Sequence, residues 1–531
     1  MDLPWDDRVL GALVAGQARL HGDRPFVTFR DREISFNELH ARSSAAAHHL
    51  ARLGIGHGDK VALMLPNCPE YLFLWFGLAK LGAVEVPLNT AHRGDLLGYM
   101  LEQADVRCVV IQDQLVDRLE QIPERLARVE RVVVASPSGR LPSSPLARPL
   151  TPLGELLEGA HEPPKVTVKP SDIFCFMFTS GTTGPSKAAM LPHAAATAFI
   201  PVHLEACDYT ADDVLYTCLP LFHGNAQILS TMPALVAGAR LVLAERFHAS
   251  TFWDEMRRTG ATAFNYIGGM LTMLYKQPAS PGDRDHRVRL AFGAAAPANL
   301  WAAIEERFGV TLIEGFGLTE SGAVLCNYGP QRRAGSIGRP TRLYDVRILD
   351  EDDRDVPPGT IGEIVTRPNT PHSMAAGYYR MPEKTLEAFR NLWFHTGDLG
   401  HTDADGYFYF VDRKKDAIRR RGENISSFEV EKVVNAHPKV EESAALAHPS
   451  EVGEDEVRVV VVLREGETLA PEELLAWCEP RMASFMVPRF VEFRPSLPKT
   501  PTARVEKYRL RQDGLSPGTW DREQAGYRLQ R

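Results

Sequence analysis

The sequence predicts an α/β fold in which a large N-terminal domain of mixed sheets covered by helices precedes a small α+β C-terminal domain. Three observations predict it. Short β-branched runs alternate with longer helical patterns, which favours parallel or mixed sheets covered by helices. The chain has 531 residues, and single cores stop growing at about 250–300 residues, so it should divide into domains. Near Asp412, a charged run precedes a pattern of shorter elements.

The elements of the larger domain are predicted from apolar runs and their spacing. A short β-branched run indicates a buried strand, and apolar residues three and four positions apart indicate an amphipathic helix. Clusters of Pro and Ser indicate surface loops. We therefore predict strands at 60–65, 106–111 and 129–134, an amphipathic helix at 69–81, a helix at 113–128, and a surface excursion at 136–170.

The smaller domain is predicted from the pattern that follows Asp412. It spans roughly a hundred residues, which is within the usual size of a domain. Its predicted elements are a helix at 427–436, a strand at 457–463, a helix at 471–482 and a strand at 490–493.

Composition and charge argue against several classes of function. The net charge is −8 and no basic block occurs, whereas nucleic-acid binding normally leaves a clustered basic footprint. No apolar run reaches the roughly 20 residues that span a bilayer, and the first residues lack the regions of a signal peptide. The seven cysteines form no CxxC pair, so neither a zinc site nor a disulfide framework is indicated. We expect a cytoplasmic protein without a membrane span.

The most informative segment is a run of hydroxyl and glycine residues that follows an apolar strand. Glycines let the backbone turn sharply and bring its N–H groups close to an anion, while hydroxyls donate further hydrogen bonds. A lysine just beyond adds positive charge against phosphate. No Gly-Lys-Ser/Thr closes the run, so it is not a Walker loop, and a flexible surface loop is the alternative. The candidate residues are Thr179, Ser180, Gly181, Thr182, Thr183, Gly184 and Lys187.

This loop resembles that of the adenylate-forming (AMP-binding) superfamily, which includes acyl-CoA synthetases, aryl-CoA ligases, luciferases and peptide-synthetase adenylation domains. The resemblance covers nearly the whole chain, because further family motifs follow in order at 219–227, 293–297, 314–320, 393–400 and 411–416. It implies an AMP-binding and acyl-pocket domain over 1–411, a hinge at 412–416, and a mobile C-terminal catalytic lid over 417–531.

The resemblance also assigns roles to the acyl pocket and to the adenylate motif. His223 would gate access of the substrate carboxylate. Phe316 would lie against adenine, Thr319 would donate to the α-phosphate, and Glu320 would help to hold Mg²⁺. An aromatic face suits a purine, and a carboxylate is a hard oxygen ligand that suits magnesium. Glu314 and Gly315 belong to the same motif.

Further nucleotide contacts are implied by three other segments. Gly293 and Ala294 resemble the adenine-side loop, although Ala294 departs from the family's usual second glycine. Asp398 would accept both ribose hydroxyls, and Arg413 would be the second contact to ribose or phosphate. Lys415 falls at the position of the family's hinge.

Members of this family run two half-reactions. The substrate carboxylate first attacks the α-phosphate of ATP, which gives acyl-AMP and pyrophosphate. The C-terminal domain then rotates, and the sulfur of coenzyme A attacks the acyl-adenylate. The resemblance implies that this rotation brings Gly422 and Glu423 to the active site, with Gly422 lining the pantetheine channel. This element favours CoA over a luciferase-type or carrier-protein acceptor. The arginines at 419–421 either attract CoA phosphates or form a plain exposed turn. The implied ligands are ATP or AMP, CoA, Mg²⁺ and a carboxylic acid or its acyl-AMP.

The last family motif is broken in this chain. It usually ends in Gly-Lys, and its lysine contacts the carboxylate and the α-phosphate during adenylation. Here Ala503 replaces the glycine and Arg504 replaces the lysine. The planar guanidinium keeps the charge but is less able to act as a compact point charge. Losing one well-aimed donor typically costs on the order of 10²–10³ in rate. Lys507 could compensate, although similar family members carry a lysine there as well.

Three functions therefore remain open. The main interpretation is formation of an acyl-CoA from acyl-AMP and CoA, with impaired adenylation and a separate adenylating enzyme as partner. The alternative is a complete ATP-dependent carboxylic acid:CoA ligase, and the third is a non-catalytic ligand-binding relative. The small residues Gly268, Gly269 and 294–296 suggest a bulky hydrophobic acid, including one from secondary metabolism. Ordinary close packing would explain those small residues equally well.

Overall fold

In a computed structural model of the chain, the described residues are 4–159, 162–179, 186–414, 416, 418–420, 423–425, 427–449, 455–482, 486–499 and 505–529. They form two compact units. The first contains the described residues up to Thr179, together with Ser186–Val346 and Thr366–Phe394. The second contains Arg347–Val365 and the described residues from His395 onward. Across this described part of the chain, no helix combines the length and hydrophobicity that a bilayer crossing needs.

Helices and strands alternate along the described residues of both units, as the sequence predicts. The α-helices are α1 Leu10–His21, α2 Phe36–Arg52, α3 Pro69–Leu81, α4 Gly94–Gln103, α5 Asp117–Glu120, α6 His193–Ala198, α7 Ile200–Cys207, α8 Met232–Ala237, α9 Phe252–Thr259, α10 Gly268–Tyr275, α11 Trp301–Phe308, α12 Pro382–Ala388, α13 Ser427–Asn435, α14 Pro471–Cys478 and α15 Lys507–Asp513.

The strands are β1 Pro25–Phe29, β2 Arg32–Ser35, β3 Lys60–Met64, β4 Val84–Pro87, β5 Val106–Gln112, β6 Arg131–Ala135, β7 Leu150–Pro152, β8 Ile173–Phe178, β9 Ala188–Pro192, β10 Val214–Thr217, β11 Arg240–Leu243, β12 Ala263–Ile267, β13 Leu290–Ala294, β14 Thr311–Leu318, β15 Gly322–Asn327, β16 Arg339–Pro340, β17 Tyr344–Leu349, β18 Gly362–Pro368, β19 Phe394–Thr402, β20 Phe408–Arg413, β21 Ile418–Arg420, β22 Glu423–Ile425, β23 Val440–Pro449, β24 Asp455–Leu463, β25 Phe490–Phe493 and β26 Trp520–Asp521.

Two mixed sheets organise the first unit. One has the strand order β16-β15-β14-β13-β12-β10-β11-β1-β2, and the other has the order β7-β6-β5-β3-β4-β8-β9. In the first sheet, β14, β13, β12, β10, β11 and β1 pair in parallel, while β15, β16 and β2 pair antiparallel at the edges. In the second sheet, only β9 among the described strands pairs antiparallel. The predicted α/β class with mixed sheets is confirmed.

Helix α3 has the predicted bounds but is not amphipathic, so that part of the prediction is wrong. Every residue of α3 except Glu70 is buried, because the helix packs against α1, α2 and β4. A Cβ at Gly77 would lie 2.8 Å from the carbonyl oxygen of Ser43, so glycine permits the close approach to α2. Burial lowers the pKa of Lys80 to about 7, and its ammonium group donates to the hydroxyls of Ser43 and Ser44 at 2.7 and 2.9 Å.

Two other predictions for the first unit need correction. The stretch 113–128 is not one helix, because it divides into two 3-10 turns and the short α5. Pro123 begins the second turn, and proline can neither donate to a helix nor continue one from within. The Pro- and Ser-rich stretch 136–170 contains β7, which adds to the edge of the second sheet.

The second unit contains most of the sheet β17-β18-β19-β20, the hairpin β21-β22 and the sheet β23-β24-β25-β26. The predicted elements at 427–436, 457–463 and 490–493 correspond to α13, β24 and β25, and the predicted helix at 471–482 ends earlier, at Cys478. Apolar residues of α13, α14, β23 and β24 form its core. The predicted boundary after residue 411 stays a prediction.

Among the buried charged side chains of this unit are Arg458 and Glu492. The carboxylate of Glu492 lies 2.6 Å from Nη2 of Arg458 and 2.7 Å from Nε of Arg494. The guanidinium of Arg458 also donates to the carbonyl oxygen of Leu510 at 2.9 Å. These partners compensate the cost of removing two charges from water.

The seven cysteines are all reduced. Six of them are buried, and Cys68 at the start of α3 is half-buried. Burial raises the pKa of the Cys68 thiol to about 12.

Candidate functional site

The predicted phosphate loop joins the two strands of an antiparallel hairpin. Phe178 at the end of β8 pairs with Ala188 at the start of β9. The backbone N–H of Thr179 donates to the carbonyl oxygen of Lys187 at 3.0 Å, which closes the base of the loop. Ser180, Gly181, Thr182, Thr183 and Gly184 lie outside the described residues, so their phosphate contacts stay predictions.

Lys187 and Glu320 both contact one tyrosine, Tyr378, at different parts of its side chain. The ammonium nitrogen of Lys187 lies 4.4 Å from the centre of the Tyr378 ring, and the Tyr378 hydroxyl donates to Oε1 of Glu320 at 2.6 Å. Burial, then the neighbouring Glu320, raises the pKa of Tyr378, so its hydroxyl remains a donor. The structure thus connects the predicted phosphate lysine to the predicted magnesium ligand.

Tyr378 was missed by the sequence analysis. It lies some 190 residues beyond Lys187. It is not one of the charged residue types, and it does not belong to a glycine-rich pattern that would identify it as a site residue. The available signal is the Gly377-Tyr378 pair itself. Gly377 has a φ of +125° and a Cβ there would lie 2.6 Å from Cγ2 of Thr385, so that position favours glycine.

Glu314 supports the predicted adenine-side loop through two hydrogen bonds. Its two carboxylate oxygens accept the backbone N–H groups of Ala295 and Ala296 at 2.8 and 3.1 Å. Burial raises the pKa of Glu314 to about 8, although both backbone donors favour its ionised form. Ala295 has a φ of +61°, a left-handed conformation that is strained for a residue with a side chain. The two hydrogen bonds therefore hold a strained loop in place, and Glu314 acts through that loop.

The other residues of the two predicted nucleotide motifs lie on or just after the adjacent strands β13 and β14. Gly293 and Ala294 end β13, whereas Gly315 and the half-buried Phe316 lie on the adjacent β14. A Cβ at Gly293 would lie 2.2 Å from the carbonyl oxygen of Tyr266, so the neighbouring strand requires glycine there. Thr319 follows β14, directly before the buried Glu320.

The adenine-side loop also depends on the end of β12. Ile267 pairs with Ala294 in parallel register, and a Cβ at Gly268 would lie 1.8 Å from the carbonyl oxygen of Ala295. Gly269 has nothing within 4 Å of the same position. Gly268 therefore permits the close approach of the Ala295 carbonyl group, whereas Gly269 lies beside open space.

We expect Gly268→Ala to weaken the binding of an acyl-adenylate, because the added methyl group must displace the loop that carries Ala295. Overpacking typically costs about 1–3 kcal/mol, which corresponds to about 5- to 150-fold in affinity. Gly269→Ala is the matched control and should change affinity by less than about twofold. Calorimetric titration of a stable acyl-AMP analogue measures both, and equal affinities for the two variants would contradict the role given to Gly268.

His223 precedes a π-helix, Asn225–Thr231. Its backbone N–H donates to the carbonyl oxygen of Pro220 at 3.0 Å, and its own carbonyl accepts from Gln227 at 3.3 Å. π-Helices are rare in proteins, and those that occur often lie at functional sites. This one is tied to both sheets of the first unit: Asn265 of β12 donates to the side chain of Asn225 at 3.0 Å, and Gln227 donates to Glu85 of β4 at 2.9 Å.

The second unit contains the pair that is predicted to bind ribose. Asp398 on β19 and Arg413 at the end of β20 are register partners, and Nε of Arg413 lies 3.0 Å from Oδ1 of Asp398. The Asp398 side chain is buried, while that of Arg413 is 37% exposed, so the guanidinium is accessible from solvent. Asp412 accepts backbone N–H groups from Ser427 and Phe428 at the start of α13.

Several predicted residues cannot be placed. Lys415, Gly422 and Arg504 lie outside the described residues, and for Glu423 only the backbone is described, paired with Arg420 in the hairpin β21-β22. Lys507 is described, and its ammonium nitrogen lies 2.8 Å from the carboxylate of Glu431. An existing ion pair makes Lys507 a poor replacement for the missing family lysine.

Glu320 fits a magnesium ion bound together with a nucleotide. No group of three His, Cys, Asp or Glu side chains within the described part of the chain could hold a metal. Magnesium commonly uses one or two carboxylates plus phosphates and water, so it does not need such a group. The hydrogen bond from Tyr378 engages Oε1 of Glu320, so Oε2 is the oxygen that would bind a cation.

Comparison with known proteins finds two family matches. The AMP-binding enzyme family matches residues 14–379, and the AMP-binding enzyme C-terminal domain family matches residues 429–504. The crotonobetaine/carnitine–CoA ligases of Salmonella typhi and Salmonella typhimurium strain LT2 are each 34% identical to this chain, over 96% of it and 98% of the relative.

Solved structures give the same result. The anthranilate CoA ligase AuaEII in complex with anthranoyl-AMP superposes with a TM-score of 0.86 at 25% identity, over 96% of this chain and 98% of that one. ATP-bound MatB from Rhodopseudomonas palustris superposes with a TM-score of 0.83 at 28% identity, over 95% and 98%.

Proposed function

This chain belongs to the AMP-binding enzyme family and is an enzyme of the acyl-CoA ligase type; from that premise we propose that it forms an acyl-CoA thioester from an acyl-adenylate and CoA, with impaired adenylation. The acyl-AMP would then come from a separate adenylating enzyme. A complete ATP-dependent carboxylic acid:CoA ligase is the second candidate.

One contrast carries the proposal. Residues that are predicted to bind the adenylate are held in place within each unit: Glu314 fixes the loop of Ala295 in the first unit, and Asp398 pairs with Arg413 in the second. The last motif, in contrast, has Arg504 in place of the lysine that the family uses to form the adenylate. We therefore expect the change to affect the first half-reaction, because in the family the C-terminal domain rotates before the second and this lysine is used only in the first.

In the proposed reaction, the thiol sulfur of CoA attacks the acyl carbon of the bound acyl-AMP. The carbon–sulfur bond forms, the bond between the acyl carbon and the phosphate oxygen breaks, AMP leaves, and the thiol proton passes to solvent. Thr319 would donate to the phosphate, Phe316 would lie against adenine, and Asp398 with Arg413 would hold the ribose. Preorganised contacts to the leaving AMP accelerate this step because they need no rearrangement as charge develops.

The acyl group proposed for this site is that of a bulky hydrophobic carboxylic acid. The exposed residues at the ends of β12 to β14 include Ile267, Ala294, Ala295 and Gly317, and all of them are uncharged. Such a surface gains free energy by covering apolar groups and offers no charge to pair with an ionic one.

The second candidate has its own supporting observation. Lys187 and Glu320, which would act on the phosphates of ATP and on magnesium, are both present and connected through Tyr378. When magnesium is bound, it offsets negative charge on those phosphates. Binding of ATP with magnesium would use both of these side chains.

Two assays on the same preparation separate these functions. The first measures ATP–pyrophosphate exchange with Mg²⁺ and a panel of hydrophobic acids, and the second supplies synthetic acyl-AMP with CoA. The proposal expects thioester in the second assay and little exchange in the first. Exchange at a rate comparable to thioester formation would favour the complete ligase. Tight binding of acyl-AMP without product in either assay would favour a non-catalytic relative.

A further inference from the structure

Backbone hydrogen bonds and packing hold Tyr378 beside Lys187 and β9. Residues 376–379 run alongside β9, where Ala376 and Tyr379 donate to the backbone of Met190 and Ala188 at 2.8 and 2.9 Å. The backbone N–H of Tyr378 donates to the hydroxyl of Thr385 at 2.9 Å. The side chain is 4% exposed, so the position of its ring is set by packing.

One end of this tyrosine orients Glu320. The phenolic hydroxyl donates to Oε1, and the backbone N–H of Ala375 donates to the carbonyl oxygen of Glu320 at 2.6 Å. Hydrogen bonds to a charged group are about twice as strong as neutral ones and are more directional. Glu320 is therefore fixed at both its backbone and its side chain, with one carboxylate oxygen engaged.

The face of the same ring holds Lys187. Its ammonium nitrogen lies 4.4 Å from the ring centre, within the range of a cation–π contact. When a phenolic hydroxyl donates a hydrogen bond to a carboxylate, the electron density of its aromatic ring rises. The higher density strengthens the attraction between the face of the ring and a cation. The carboxylate and the ammonium group thus support each other through Tyr378, as in a polarised hydrogen-bond chain.

We propose that Tyr378 is a positioning residue that couples Lys187 to Glu320, so that ATP and Mg²⁺ bind together rather than independently. The inference rests on the proposed nucleotide site, but not on which half-reaction predominates. Without the hydroxyl, Glu320 loses its orientation and Lys187 loses part of its attraction to the ring. The effect should therefore fall on the magnesium-dependent part of ATP binding.

The test is calorimetric titration of the full chain with ATP, once with Mg²⁺ and once with a chelator. Tyr378→Phe keeps the ring but removes the donor, and should reduce the enhancement of ATP affinity by Mg²⁺ about tenfold, since a hydrogen bond to a charged group typically contributes that much or more. Affinity in the chelator should change by less than about twofold. Tyr378→Leu also removes the ring face and should weaken ATP binding in the chelator as well.

The neighbouring Tyr379 is a matched control. Its hydroxyl donates to Asp105 at 2.8 Å, and Nζ of Lys60 lies 5.2 Å from its ring centre, so it repeats the arrangement with other partners. Tyr379→Phe should bind ATP as the unaltered chain does under both conditions.

Three results would overturn the inference: no magnesium enhancement in the unaltered chain, the same enhancement in Tyr378→Phe, or equal weakening with and without Mg²⁺. Equal weakening would mean a merely structural role. A circular-dichroism melt of each variant identifies unfolding, and Glu320→Gln, which leaves the ring in place, must show the same selective loss. Failure of the proposed function is a separate result, because absence of thioester from acyl-AMP leaves the ATP titration unaffected.

Discussion

Replacement of Arg504 by Lys is expected to raise ATP–pyrophosphate exchange by about 10²–10³-fold, which is the cost of a misplaced donor to a transition-state oxygen. Lysine offers a compact ammonium group on a flexible stem, whereas the guanidinium is a rigid planar fork. Exchange is measured with a hydrophobic acid, ATP and Mg²⁺. The rate is divided by that of thioester formation from acyl-AMP in the same preparation, which corrects for differences in active protein.

The double replacement Ala503→Gly with Arg504→Lys restores the complete family motif and serves as the reference. If only the double variant gains exchange, the limitation lies in the backbone at position 503. If neither variant gains, impaired adenylation has another cause, and the explanation based on Arg504 is wrong. Lys507→Met is a further control, and it should leave exchange low, because Lys507 is already paired with Glu431.

Replacement of Glu492 by Gln is expected to lower the free energy of unfolding of the second unit by about 3–5 kcal/mol, because it leaves the buried Arg458 without its counter-charge. The side chains of Arg458 and Glu492 are 2% and 3% exposed, so water cannot replace the lost partner. The free energy is read from amide hydrogen exchange in β24 and β25, which reports the opening of these strands without requiring the whole chain to unfold in one step.

Two controls test the cause. Glu473→Gln removes an exposed carboxylate paired with Lys439 at 3.1 Å, and should cost less than about 1 kcal/mol. Replacing both members of the buried pair, as Arg458→Met with Glu492→Leu, should cost less than Glu492→Gln alone, because no unpaired charge remains. A double variant that is less stable than the single one would contradict the account.

The buried pair also predicts a dependence on pH. Burial by itself would raise the pKa of Glu492, but hydrogen bonds from Arg494 and Arg458 bring it below the ordinary value of 4.5. The stabilisation is therefore complete above the pKa of the unfolded chain, and it is lost as pH falls below about 4.5 towards the lowered folded value. Glu492→Gln should lack this part of the acid sensitivity.

Much of the fold could be predicted because local patterns and tertiary packing agree. The strand at 490–493 has the predicted bounds, and β3, β5 and β24 differ from theirs by one or two residues. The failures arise where tertiary context decides. Helix α3 is buried on all sides, so it has no solvent-exposed polar face of the kind that an amphipathic helix presents. Pro123 interrupts the stretch 113–128, whose composition predicts a single helix.

The site was predicted to a different extent. Motifs identify residues whose chemistry is fixed by spacing along the chain, and the structure does bring Asp398 to Arg413 across two strands. Sequence could not reveal that Glu314 supports the loop of Ala295, because that role needs the register between β13 and β14. The sequence analysis missed Tyr378 for the same reason, because its role depends on tertiary contacts with Lys187 and Glu320.

The burial of the cysteines decides how this enzyme can be assayed. A thiolate is the form that reacts with disulfide reagents, and burial blocks access to six of these thiols and raises the pKa of all seven, including the half-buried Cys68. A chromogenic disulfide added to the folded protein should therefore titrate free CoA, with almost no background from the chain. The disappearance of CoA during turnover can then be followed continuously by absorbance, and a slow colour change without substrate would report local opening around Cys68.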